Sequence, residues 1–158
     1  MNWNNKVQLS AGEIVDKITI LDIKLIKIKD QEKSSNIMYE LELLARGSFV
    51  SMLNFLSIEK QSELRGLKSN LFAVNLRLWN VEDAIREKGS HLFKDISYQA
   101  SLSHYEEFIY SLSPNEMTAA NSFMLLARDV YLLNKERFSL KTKINELLES
   151  PIVEEKSH

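Results

Sequence analysis

The sequence predicts an all-α protein, an antiparallel bundle of about four long helices with a short extra helix in the 90–112 segment. Two observations favour this fold class. Apolar residues recur at spacings of three and four along most of the chain, which is the spacing of one face of an α-helix. Only four glycines and two prolines occur in 158 residues, so turns are few and the elements are long.

The composition is that of an ordinary globular domain. At 158 residues, 44% hydrophobic and 27% charged, the chain can bury a core without covalent links, and we predict one helical domain over 1–158. It has no cysteine, which excludes disulfides and thiolate metal sites. The net charge of −2 gives no general attraction for nucleic acid. The sequence shows no apolar leader segment and no apolar run of membrane-spanning length, so we expect a cytoplasmic protein without a membrane partner.

The first predicted helix begins at a capping box. Ser10 stands at the cap position and Glu13 follows three residues later, so each side chain can bond the other's backbone N–H. An apolar stripe then follows at spacings of four and three: Ile14, Ile18, Leu21, Leu25 and Ile28. The neighbouring positions are also rich in isoleucine, so we expect this helix to be buried on more than one side.

The second and third predicted helices follow without long loops. The second runs from about Gln31 to Leu56, with a bend or break at Gly47-Ser48. The third has the most regular stripe, three heptads formed by Leu64, Leu67, Leu71, Val74, Leu78, Val81 and Ile85, and Gly89 is its expected end. Such a seam fits helix pairing within one chain or between two chains, so a homodimer and an intramolecular bundle both stay open.

The last predicted helix begins at a second capping box, Ser113-Pro114-Asn115-Glu116, with proline at the first helical position. It extends to about Glu149, because Ser150-Pro151 cannot continue a helix. We expect residues 150–158 to form a non-helical tail.

Arg137 is the most unusual residue of this last helix. It lies on the apolar stripe between Leu133 and Leu140, where an aliphatic residue is expected. A buried guanidinium needs a counter-ion, because an unpaired charge is costly in an apolar interior. Asp16, Glu82 and Asp83 are the candidate counter-ions.

Polar side chains border the apolar stripes of three predicted helices. They are Asp16 and Lys17 on the first, Trp79, Glu82, Asp83 and Arg86 on the third, and Tyr131, Asn134, Arg137, Lys141 and Asn145 on the last. Together they form a candidate polar cluster between helices, a usual location for sites in bundles. The same pattern also fits a solvated flank or a structural hydrogen-bond network. We predict no metal site and no cofactor, because the three histidines are far apart and no phosphate-binding glycine loop occurs.

Three blocks of the chain carry a resemblance. They are SAGEIVDKITILDIKL at the start, LWNVEDAIRE in the centre, and LARDVYLLNKERFSLKTKINELL with EEKSH at the end. They are similar to an uncharacterised bacterial family of small helical proteins, a domain of unknown function. The matching positions are Gly12, Glu13, Asp16, Lys17, Thr19, Trp79, Glu82, Asp83, Arg86, Tyr131, Asn134, Arg137, Lys141, Asn145 and the tail residues Glu154, Glu155, Lys156 and Ser157.

This resemblance implies a helical fold and a shared polar set, but no activity. Two positions depart from the family pattern. Lys135 stands where the family often has an acidic residue, and His158 stands where the tail usually ends in an aromatic residue. The 90–112 segment is also longer than the family's usual connection, so nothing transfers there.

Two main hypotheses for function follow. The first is a binding or assembly protein in which the polar cluster fixes helix register, with a homo-oligomer or another protein as partner. Under it, Arg137→Leu is expected to keep the fold or even stabilise it, while disturbing the oligomeric state. The second is a small cofactor-independent enzyme in which Arg137, Arg86, Lys141 and Lys17 clamp an anionic metabolite and Glu82 acts as acid or base, like chorismate mutases by analogy only. A third, narrower option is partner recognition by the tail residues 154–157.

Overall fold

The computed structural model describes residues 8–92 and 113–152, and they form an all-α helical bundle, as predicted. In chain order the elements are α1 (Ala11–Lys27), α2 (Gln31–Leu44), a π-helical segment (Ala45–Phe49), α3 (Val50–Phe55), α4 (Ile58–Leu92) and α5 (Pro114–Leu147). The predicted short helix in 90–112 falls outside the described residues beyond Leu92, and so does the tail from residue 153.

Helix α1 begins at the predicted cap. The Ser10 hydroxyl accepts a hydrogen bond from the Glu13 backbone N–H at 3.1 Å. The helix ends at Lys27, where Ile28 takes an extended conformation and its N–H still donates to the Lys24 carbonyl. Its many β-branched residues do not favour a helix on propensity alone. Burial of the helix on several sides compensates, with Val15, Ile18 and Leu21 at most 2% exposed.

The predicted second helix is interrupted where a bend was expected. The Asp30 carboxylate caps α2 by accepting from the Lys33 N–H at 2.9 Å. From Ala45 to Phe49 the backbone turns are wider, and the helix then resumes as α3. A π turn accommodates extra backbone within a helix and changes which residues face inward. Gly47, inside it, would meet no atom within 4 Å if it carried a Cβ.

Helix α4 extends beyond its predicted carboxyl end. It continues through Gly89 to Leu92, so Gly89 does not end it. Glycine costs a helix interior only about 1 kcal/mol relative to alanine, so it does not compel a stop. The predicted heptad stripe is confirmed in its central part, since Leu64, Leu71, Val74 and Leu78 are buried.

Helix α5 begins at the second predicted capping box. Ser113 donates to the Glu116 carboxylate from its N–H at 2.8 Å, and the Glu116 N–H donates back to the Ser113 hydroxyl at 3.4 Å. The helix ends at Leu147, two residues earlier than predicted. Glu149 takes a left-handed conformation with φ of 49°, and the Ser150 N–H closes the turn on the Asn145 carbonyl at 2.9 Å.

The described residues fall into two compact units. The first comprises 8–76 and 135–152, and the second 77–92 and 113–134. In the first unit α1 contacts α2, α4 and α5, and the last two run opposite to it. Contacts join Asp16 to Arg137 and Gly12 to Asn145 on α5, and Thr19 to Asn75 and Asp22 to Lys68 on α4. As the α1 number falls, the partner number rises, which is the antiparallel arrangement.

Candidate functional site

The centre of the first unit contains four hydrogen-bonded polar side chains, here called the polar cluster: Asp16, Thr19, Asn75 and Arg137. Arg137 grips the Asp16 carboxylate with two nitrogens, its Nε reaching Oδ1 at 2.8 Å and its Nη2 reaching Oδ2. Asn75 Nδ2 donates both to Asp16 Oδ1 and to the Thr19 hydroxyl, each at 2.8 Å. The Thr19 hydroxyl donates in turn to the Asp16 carbonyl at 2.8 Å.

Each member reaches the cluster from an apolar helix face. Asp16 and Thr19 are one turn apart on α1, next to the buried Val15 and Ile18 respectively. Asn75 follows Val74 on the α4 stripe, and Arg137 lies between Leu133 and Leu140 on α5. Three helices therefore meet at one carboxylate, and a shift in the register of either neighbour of α1 would break its bonds.

These hydrogen bonds matter for stability because the side chains that form them are buried or largely buried. The Asp16 side chain is 1% exposed and the Arg137 side chain 28%. A buried carboxylate is tolerated when a cation and further donors satisfy its oxygens, and Asp16 has the guanidinium and an amide. Among the described residues, every buried side-chain nitrogen and oxygen has a hydrogen-bond partner. The cluster thus has the completeness expected of a network that specifies helix register.

A second set of contacts joins the amino end of α1 to the carboxyl end of α5. Lys141 Nζ pairs with the Glu13 carboxylate, and the Lys141 side chain is 13% exposed. The Gly12 N–H donates to Asn145 Oδ1 at 2.6 Å, and the Ala11 N–H lies 3.4 Å from the Ser150 hydroxyl. With Ser10 bonding the Glu13 N–H, side chains satisfy the three backbone donors that open the helix.

Gly12 also sets how closely the two helices approach. A Cβ built at this position would lie 2.5 Å from the Lys141 carbonyl oxygen, a backbone atom that cannot swing away. Only glycine fits there without moving a helix. Its place in the first turn of α1 therefore has a packing reason.

The structure brings together four of the predicted cluster residues, namely Asp16, Arg137, Lys141 and Asn145. Asp16 is confirmed as a counter-ion of Arg137. Lys17 faces outward instead and pairs with Glu40 on α2 at 2.7 Å.

The other six candidates belong to the second unit: Trp79, Glu82, Asp83, Arg86, Tyr131 and Asn134. Asp83 pairs with Arg86 three residues along the same helix, with both side chains at least half exposed. The Asn134 amide donates to the Val130 carbonyl of its own helix at 3.0 Å, and Tyr131 is 66% exposed. Glu82 is exposed and Trp79 half-buried. The tail candidates Glu154, Glu155, Lys156 and Ser157 lie outside the described residues.

Sequence reasoning missed Asn75 as a member of the cluster. The signal was present, because Asn75 is four residues after Leu71 and three before Leu78, on the apolar stripe of α4. This is the same anomaly that singled out Arg137. A polar residue on each of the two stripes that face α1, Asn75 on α4 and Arg137 on α5, would have indicated a shared contact.

A second surface was also missed, and we call it the α2 surface: Met38, Tyr39, Glu42, Leu43, Arg46, Gly47 and Val50. No residue of α2 is buried. Met38, Tyr39 and Leu43 are 59%, 68% and 58% exposed, although each is large and apolar. Two adjoining hollows of about 270 and 600 Å³ open here, both lined by Tyr39, Glu42 and Arg46. The π-helical segment contributes Arg46 and Gly47 to this surface.

The described residues limit the other kinds of site. Within 8–92 and 113–152, no group of three or more histidine, aspartate or glutamate side chains is placed to hold a metal ion. None of the described helices has an apolar stretch long enough to cross a bilayer. No protein-family model, curated protein or solved structure matches the chain.

Proposed function

We propose that this chain is a cytoplasmic binding and assembly protein, a helical bundle that presents the α2 surface to another protein. The polar cluster holds α1, α4 and α5 in register, and α2 carries the contact residues. The observation that supports this most strongly is the coincidence, on one helix, of exposed large apolar side chains, two hollows and a π-helical segment.

Physical reasons connect that coincidence with binding. Exposed apolar residues scattered singly are ordinary, but a contiguous group bordering a hollow is typical of an interaction surface. π turns occur frequently at functional sites, since they are otherwise unfavourable within an α-helix. Tyr39, Leu43 and Val50 recur at helical spacing along one outward stripe, the pattern that a partner helix reads.

The enzyme hypothesis has less support from the geometry. Its proposed anion clamps, Arg137 and Lys141, already contact carboxylates on α1, at Asp16 and Glu13. An anionic metabolite would have to compete with these two carboxylates. The resemblance to an uncharacterised helical family stays a prediction. It supports the present proposal only because its positions include all six residues of three side-chain contacts between α1 and α5: Gly12, Glu13, Asp16, Arg137, Lys141 and Asn145.

A site-specific photo-cross-linker tests the binding role of the α2 surface. A benzophenone amino acid replaces Leu43 in the full chain, and the matched control carries it at Ile58, which is 85% exposed on the first turn of α4. We expect a discrete adduct from position 43 and none from position 58. The adduct should disappear when Tyr39→Asp places a charge on the same stripe. Absence of any adduct from position 43 would overturn the proposal.

A further inference from the structure

The arrangement of charge on the α2 surface narrows the choice of partner. Glu42 Oε1 and Arg46 Nη1 form an ion pair of 2.9 Å, with side chains 54% and 81% exposed. The pair lies among the exposed apolar residues and is balanced in charge. A strongly acidic or strongly basic partner would therefore find no matching field on this surface.

We propose that the α2 surface binds the same surface of a second copy of this chain, with the two α2 helices antiparallel about a two-fold axis. This rests on the proposed binding function and adds the identity of the partner. In a two-fold contact each residue of one copy meets a fixed residue of the other, and the reverse contact is identical.

An axis at the level of Leu44 makes the charges complementary. In an antiparallel pair, residues equally far before and after the axis lie opposite each other. Glu42 of one copy then lies opposite Arg46 of the second copy, and the same contact repeats on the other side of the axis. The two ion pairs within the helices can thus extend into a four-charge network across the interface, the arrangement that sets orientation in paired helices.

The same axis also matches the apolar residues. Met38 of one copy lies opposite Val50 of the second, and these side chains are 59% and 46% exposed. Leu43 lies next to the axis, so both copies of it meet near the centre. Gly47 leaves open space, and the hollow of about 270 Å³ that it borders can receive an apolar side chain from the second copy. One two-fold operation therefore fits the charges, the apolar side chains and the open space.

Sedimentation equilibrium of the full chain across a concentration series tests the pairing. We expect a reversible dimer for the native sequence. Leu43→Asp should raise its dissociation constant roughly 30-fold or more, because a central interface residue commonly carries at least 2 kcal/mol. Ile58→Asp, at a more exposed apolar position outside the α2 surface, should leave the constant unchanged. A chain that stays monomeric at every concentration overturns the inference.

Exchange of charge tests the proposed contacts of Glu42 and Arg46 across the interface. Glu42→Arg gives a dimer with four positive charges at the interface, and Arg46→Glu gives one with four negative charges. Each variant alone should dimerise at least tenfold more weakly than the native chain. Each also loses the same ion pair within its helix, so the two variants should be folded to the same extent, which circular dichroism verifies. An equimolar mixture should form a heterodimer close to native affinity. A mixture no tighter than the separate variants overturns the proposed arrangement.

The cross-linking experiment separates this inference from the proposed function. An adduct from position 43 with twice the chain's mass supports both. An adduct with a different protein, together with a monomeric native chain, supports the binding function and overturns self-association. No adduct at all overturns both.

Discussion

Helices α1 and α2 are adjacent in sequence and joined by three residues, yet their environments are opposite. Eight of the 17 residues of α1 are buried, including Asp16 and Thr19, whereas none of the 14 residues of α2 is. In α1 the charged side chain of Asp16 lies in the interior because two side chains, Arg137 and Asn75, satisfy its carboxylate. In α2 large apolar side chains lie outside because its inward face already packs on α1. The first helix is therefore built for internal contacts and the second for external ones.

We expect the largest change in the free energy of unfolding from a substitution of Asp16, at the centre of α1. Asp16→Ala leaves the guanidinium of Arg137 without its carboxylate in a mostly buried position, and should lower the free energy of unfolding by about 4 kcal/mol. Leu43→Ala on α2, measured below the concentration at which the chain self-associates, should change it by less than about 0.5 kcal/mol. Urea denaturation followed by circular dichroism gives both values. Comparable losses at the two positions would contradict the contrast between the helices.

Arg137→Leu should lower the free energy of unfolding by about 3 kcal/mol, because it leaves the Asp16 carboxylate buried without its cation. From the sequence we expect this substitution to keep or even stabilise the fold, whereas the buried ion pair with Asp16 leads us to expect a loss of stability. The double variant Asp16→Leu with Arg137→Leu removes both charges and should lose less than the sum of the single variants. A double-mutant cycle measures this coupling, and additive losses would show that the two side chains act independently.

Gly12→Ala tests the close approach of α1 to α5. The new methyl group would overlap the Lys141 carbonyl, so a helix must shift, at an expected cost of about 2 kcal/mol. Gly66→Ala on α4 is the matched control, because a Cβ there meets nothing within 4 Å. The control should gain up to about 1 kcal/mol from the higher helix propensity of alanine. Thermal or urea denaturation of the pair should therefore give changes of opposite sign.

The smallest expected effect is a change in the pKa of Glu116, which follows from a comparison of the two helix starts. At α1 the Glu13 carboxylate pairs with Lys141, whereas at α5 Glu116 is exposed to solvent. Hydrogen bonds from the Ser113 hydroxyl and then from its N–H hold the pKa of Glu116 below its usual 4.5. Its contribution to stability is thus complete above the pKa of the unfolded chain, and is lost as the pH falls through the lower folded pKa.

Ser113→Ala should move the pKa of Glu116 back toward 4.5. A carboxyl-detected NMR titration of the native and substituted chains gives the comparison. A Glu116 that titrates at the same pH in both chains would show that the capping box of α5 does not form in solution.

Sequence periodicity predicts much of this fold for physical reasons. The start of α1 follows from Ser10 and Glu13, because capping is a local interaction within four residues. The pairing of Arg137 was predictable in kind, since a guanidinium on an apolar stripe must find an acceptor. Which carboxylate pairs with Arg137, Asp16 rather than Glu82 or Asp83, depends on how the helices pack. That packing cannot be predicted from the spacing of residues within each helix.

Other features of the structure cannot be predicted from the spacing of apolar residues. The π-helical segment at Ala45–Phe49 is a small change in backbone winding, and Gly47-Ser48 indicated only a bend there. The outward apolar residues of α2 resemble core residues in sequence, because burial depends on whether a neighbouring helix covers them. Asn75 is the reverse case, because its position on the apolar stripe of α4 is itself a signal in the sequence that this polar side chain is buried.

The contacts of α1 with α5 have a consequence for the order of synthesis. They join residues 121 to 139 positions apart, from Asp16–Arg137 to Ala11–Ser150. A ribosome that has made α1 has not yet made the groups that neutralise Asp16 or complete the helix's first turn. Until α5 emerges, that carboxylate is best hydrated, and hydration opposes premature packing of α1 on α4. We therefore expect the first unit to close only after α5 has been synthesised.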